Sequence, residues 1–135
     1  MAAEHPARAA ARRSMDAVHA KDRAAWLDNF ADEAIIEDPI GVSPLCPDGK
    51  GHRGKEAIAR FWDSIIAPNR VLFEMRESHA CGDECANVGT ITTVLADGSV
   101  SRVAGVFTYR VDAAGKVQAL RAYWEFERMA FFPRA

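Results

Sequence analysis

Apolar positions recur every three or four residues in the first part of the chain and every second residue in the last part. Ala7, Ala11, Ser14, Met15 and Val18 follow helical spacing and predict a helix over residues 5–20, with the polar Ser14 on its buried stripe. Asp22 is a good N-cap for a second helix running to Phe30, anchored by Trp26, Leu27 and Phe30. A short strand follows in Ala34-Ile35-Ile36-Glu37-Asp38-Pro39-Ile40-Gly41. Residues 40–54 are rich in Pro and Gly and read as a loop. A third helix spans residues 55–66, with Ile58, Phe61, Trp62 and Ile65 on one side, and Pro68 ends it. Beyond it the period changes to two. Strands are predicted near 70–80, 86–96, 100–111 and 116–128, separated by the turn signals Cys81-Gly82-Asp83, Asp97-Gly98 and Ala114-Gly115. Long strands joined by short turns form an antiparallel meander. Helices ahead of such a meander predict an α+β fold, with the helices packed on one sheet face.

Alternation identifies that face. Val103, Gly105, Phe107, Tyr109 and Val111 share one side of their strand, and Leu120, Ala122, Trp124 and Phe126 share one side of the last. The opposite sides carry Arg102, Thr108 and Arg110, and Arg121, Tyr123 and Glu125. A bent sheet wrapped by helices leaves either a filled core or an apolar pocket, and the small Gly105 and Ala122 amid large neighbours favour the pocket. The same alternation separates two adjacent carboxylates. Asp38 lies in line with Ala34 and Ile36, whereas Glu37 lies with Ile35 on the other side. Read from these residues alone, Asp38 either turns out to solvent at the strand end or looks into the apolar interior. In the interior a charge costs several kcal/mol unless it is paired or hydrogen-bonded.

Composition narrows the function classes. The 135 residues suffice for one domain, read as 1–135, with a real core. A formal net charge of −2 argues against nucleic-acid or membrane-surface partners, and no apolar stretch reaches the length needed to span a bilayer. Cys46, Cys81 and Cys85 are odd in number with no secretory signal ahead of them, which predicts free thiols in the cytoplasm. Their spacing fits no zinc site, so no metal is expected. Phosphate loops and nucleophile elbows are absent. His19, near a helix C-terminus, reads as structural, and His79 carries no clear signal.

The order of elements and several motifs resemble the NTF2-like superfamily, in its ketosteroid-isomerase and SnoaL-like branch, over residues 7–128. The resemblance rests on Phe30-Ala31-Asp32-Glu33-Ala34 leading into Glu37-Asp38-Pro39-Ile40-Gly41, and on Gly54-Lys55-Glu56-Ala57-Ile58 opening the third helix. Ala114-Gly115-Lys116-Val117 and Arg121-Ala122-Tyr123-Trp124 add to it. The segment Pro47-Asp48-Gly49-Lys50-Gly51 is similar to that of actinobacterial ketosteroid-isomerase-like proteins. The resemblance implies a cone-shaped barrel in which three N-terminal helices pack on a strongly bent antiparallel sheet. It also implies a homodimer through the outer sheet face at Arg121, Tyr123 and Glu125.

In ketosteroid isomerases an aspartate of that motif shuttles a proton between two carbons of a steroid ketone, while a tyrosine and a protonated aspartate hold the enolate oxygen. Carried over, the base falls on Asp38. The oxyanion tyrosine falls on Ser14 and the protonated aspartate on Phe107, while two supporting tyrosines fall on Phe30 and Trp62. The expected oxyanion hole is therefore incomplete, and Tyr109, Ser14 and His52 are the candidate replacement donors. The expected ligand is steroid-like and apolar, bound without a cofactor in a pocket lined by Met15, Ile36, Phe61, Trp62, Val103, Gly105, Phe107, Leu120 and Trp124. A ligand carrier without turnover and a SnoaL-like cyclase or dehydratase are the alternative readings.

Overall fold

Small side chains on one stripe let the first helix lie close to the sheet. In α1 (Pro6–Ala20), Ala7, Ala10, Ala11, Ser14, Ala17 and Val18 are all buried. Pro6 opens the helix, where a missing N–H costs nothing, and the His5 ring nitrogen accepts from the Ala7 amide at 3.1 Å. Asp22 caps α2 (Arg23–Asp28) through the Ala25 amide. The computed structural model describes residues 4–134, so the ends of the expected 1–135 domain lie outside it.

A single sheet faces these helices. Its strands are β1 (Phe30–Glu37), β2 (His52–Arg53), β3 (Arg70–Cys81), β4 (Glu84–Val94), β5 (Val100–Val111), β6 (Val117–Tyr123) and β7 (Ala130–Phe132). The spatial order is β2-β1-β6-β5-β4-β3, with β7 also paired to β5. The fold is α+β, with a curved open sheet and helices. Three features differ from the sequence expectation. The sheet is mixed rather than antiparallel, because β1 runs parallel to β6 with Ile36 opposite Leu120 and Glu37 opposite Arg121. The third helix, expected as one helix over 55–66, is α3 (Gly54–Phe61), preceded by the short β2 as well as β1, and continues as a wider turn over Trp62–Ile66 in which the Ala67 amide reaches back to the Trp62 carbonyl. The strand expected over 116–128 breaks after Tyr123.

That break shapes the interior. Tyr123 pairs with Val106 on β5, and pairing resumes only at Ala130 opposite Arg102. Residues 124–129 therefore stand against only 103–105 of β5. The surplus leaves the sheet as a detour containing one short helical turn, Phe126–Arg128. Gly105 makes room for it: a Cβ there would collide with the Tyr123 carbonyl and the Trp124 side chain.

The core gathers α1, α2, α3 and the concave sheet face around Trp26, whose ring meets Phe30 edge-on at 4.7 Å and Trp62 at 5.2 Å. Among the described residues, no helix is long and apolar enough to cross a membrane, and no three His, Cys, Asp or Glu side chains gather as a metal site.

Candidate active site

A cavity of about 260 Å³ opens between the concave sheet face and the helices. Asp38, Ser14 and Tyr109 reach its wall from three different elements. Asp38 follows β1 directly, and the parallel pairing of β1 with β6 sets it beside the end of that strand, where the Ile40 amide bonds the Ala122 carbonyl at 3.0 Å. Two residues past Ala122 the detour begins, and it carries the Trp124 indole onto the carboxylate. Trp124 Nε1 donates to Asp38 Oδ1 at 2.6 Å. No Lys, Arg or His is among the described residues that line the cavity, so this carboxylate has no cationic partner there.

Two opposed influences set its proton affinity. Burial disfavours the charge and raises the Asp38 pKa above the ordinary carboxylate range, while the Trp124 N–H favours the charge and pulls part of the way back. The net shift is upward. Tyr109, on β5 and 3% exposed, is also pushed up from the usual phenol value. Burial is the main cause, the neighbouring Ser14 hydroxyl opposes it, and the charges of Asp38 and Cys85 add to it. The site thus pairs a carboxylate of raised basicity with a phenol that stays protonated.

Of the apolar positions expected in the pocket, Phe61, Val103, Phe107, Leu120 and Trp124 line the cavity. The others serve elsewhere. Ile36 is fully buried and Trp62 nearly so, both within the packed core. Met15 packs against that core from α1. Gly105 accommodates the detour, as described above, and Ala122 is fully buried and does not line this cavity. His52 sits behind Phe61, edge-on at 5.1 Å, and does not reach the cavity. Its pKa is lowered mainly by burial, and among the described residues its buried Nε2 finds no hydrogen-bond partner.

The cavity's far end lies outside the sequence expectation: Val71 and Phe73 of β3, Ile91 and Thr93 of β4, Ser101 of β5 and Phe131 of β7 line it. Their period-two spacing was a usable signal. Ile65 and Ile66, adjacent in sequence, both face the cavity because the wider turn inserts a residue into the helical repeat.

Residues 11–120 match the model of the SnoaL-like domain. The chain belongs to the SnoaL-like family. Within that family it is ketosteroid-isomerase-like: it is 31% identical over 118 residues to a steroid Δ-isomerase of Nocardioides simplex, covering 87% of this chain and 88% of the relative. The Δ5-3-ketosteroid isomerase of a Mycobacterium species superposes with a TM-score of 0.92 at 41% identity, over 95% of this chain and 99% of that one. RV0760c of Mycobacterium tuberculosis, solved in complex with estradiol-17β-hemisuccinate, gives 0.90 at 42% identity over 95% and 100%. This SnoaL-like chain shares with these structures the NTF2-like arrangement of helices on a curved sheet.

Proposed function

We propose that the protein binds a steroid or a similar polycyclic ketone and moves a proton within it, with Asp38 as the general base. The observation carrying this reading is the placement of Asp38 on the wall of an apolar cavity, held by the Trp124 N–H and, among the described residues, with no Lys, Arg or His on that wall. The similarity to steroid isomerases and to a steroid-bound structure supports the ligand class.

The step conserves atoms and electrons. In a β,γ-unsaturated ketone, Asp38 takes the proton from the carbon between the carbonyl and the double bond. The C–H electron pair shifts toward the carbonyl, giving a dienolate. The same carboxyl returns the proton at the far end of the double bond, leaving the conjugated ketone. The developing negative charge on oxygen needs a donor. Tyr109 supplies one: its phenol is neutral and lines the cavity, with Ser14 on the same wall as its polar neighbour. No carboxylic acid stands at Phe107 to supply a second. Loss of one such donor typically slows these reactions by about a hundred- to a thousandfold, so turnover is slower than in an isomerase with both.

The apolar Phe107 in the cavity wall also favours a second reading, a carrier that holds the ligand without turnover. One experiment separates the two. The protein is mixed with androst-5-ene-3,17-dione and the absorbance of the conjugated ketone is followed, while binding of androst-4-ene-3,17-dione is read by thermal shift. Conversion above buffer that disappears in Asp38→Asn, with binding retained, supports the isomerase. Binding with no conversion leaves the carrier, and no binding removes the steroid reading altogether.

Self-association through the outer face near Tyr123, which is 49% exposed, belongs to the same reading. Sedimentation as a monomer at micromolar concentration removes it.

A further inference from the structure

Beyond the Asp38 end, the cavity carries a second polar feature. One cross-strand rung runs over four strands: Val71 of β3 pairs with Thr93 of β4, Thr93 with Ser101 of β5, and Ser101 with Phe131 of β7. All four residues line the cavity. Thr93 and Ser101 sit directly opposite each other. Side chains in such a pair start about 5 Å apart, so the two hydroxyls can bracket a single ligand atom. Among the described residues, neither hydroxyl makes a protein hydrogen bond, although Thr92 on the other face is held by Arg102 at 3.2 Å. Val103 and Phe107 separate this rung from Tyr109, eight positions along β5, so no ligand atom touches both ends. The chamber is thus apolar in the middle and polar at both ends. Phe131, half-exposed, marks the rung as the end nearer to solvent.

We propose that Thr93 and Ser101 form a distal subsite that recognises a keto or hydroxyl oxygen on the ring of the ligand farthest from the reacting ketone. This rests on the steroid reading above and specifies which steroids the site prefers: those oxygenated at both ends of the fused-ring skeleton. The hydroxyls donate to that oxygen, while the rigid rings fill the apolar middle. The contact is the same in ground and transition state, so it acts on binding and not on the chemical step.

The test compares androst-4-ene-3,17-dione with androst-4-en-3-one, which lacks the distal oxygen, on the wild type, Thr93→Val, Ser101→Ala and the double variant. The wild type binds the dione about three- to tenfold more tightly than the deoxy ketone, the range expected for a hydrogen bond competing with water. The double variant loses that preference while holding the deoxy ketone as the wild type does. Thr93→Ser, which keeps a hydroxyl, preserves it. A preference that survives in the double variant overturns the proposal, as does a parallel loss for both ligands, which makes the rung mere packing. A wild type that binds both ketones equally overturns the subsite alone, whereas one that binds neither overturns the steroid reading with it.

Discussion

Glu37 and Asp38 are neighbours in sequence and carry the same functional group, yet they have opposite surroundings. Glu37 lies on the outer side of β1, where Arg121 of the parallel β6 donates to it at 2.9 Å. Asp38 lies on the cavity wall, and its partner is the neutral indole N–H of Trp124. The first is a charge matched by a charge at a half-wet surface. The second is a charge steadied by a single dipole among apolar walls. Asp38, desolvated and without a charged partner in the cavity, holds a proton more readily than an ordinary carboxylate, and its charged form costs stability.

The sharpest way to break this contrast is to remove the ionisable group from the cavity. Asp38→Asn should lower isomerisation by about a thousandfold or more, while the enone still binds. It should also raise the melting temperature at neutral pH. The folded pKa of Asp38 lies above its unfolded value, so folding favours the protonated form. Its relative stabilisation is present below the ordinary carboxylate pKa and is lost as pH rises through the raised folded one. At neutral pH the buried charge is a liability that Asn lacks. A melting temperature that drops sharply at pH 7 contradicts the account.

Next in size is the donor. Tyr109→Phe keeps the ring that packs under the cavity and removes only the hydroxyl, and kcat should fall about a hundredfold with binding of androst-4-ene-3,17-dione little changed. Ser14→Ala acts through Tyr109 and should cost less. Equal kcat for Tyr109→Phe and wild type means that another group, or none, meets the oxygen.

A smaller effect tests the dipole on Asp38. Trp124→Phe removes the N–H that draws its pKa down, so the acidic limb of the pH–rate profile should move to higher pH. Activity then falls on the acid side and persists on the alkaline side, since Tyr109 stays protonated well above neutrality. A limb that stays in place shows that the 2.6 Å contact does not govern the base.

The smallest effect belongs to the outer carboxylate. Glu37→Gln should change stability by at most about 1 kcal/mol, as for other partly exposed ion pairs, and leave the pH–rate profile where it was. A displaced profile means that the two carboxylates communicate across the strand.

Much of this contrast is local and therefore legible in the sequence. Side chains on a strand alternate, so the face assigned to Val103, Phe107 and Tyr109, the helical stripe through Ser14 and the opposite orientations of Glu37 and Asp38 follow from spacing alone. The turn residues at Gly82 and Gly98 mark two hairpins for the same reason. What tertiary structure decided depends on residues far apart in the chain. The parallel pairing of β1 with β6 brings Arg121 to Glu37, across 84 positions. The six residues of 124–129, set against three on β5, lift Trp124 onto Asp38, and no periodicity announces such a surplus. Gly105 illustrates the limit. Its small size suggested a void, but the space is taken by the Tyr123 backbone, a neighbour that only strand register supplies. Likewise the Val71–Thr93–Ser101–Phe131 rung exists only once four strands are in register, because alternation fixes which way a side chain points and not what stands beside it.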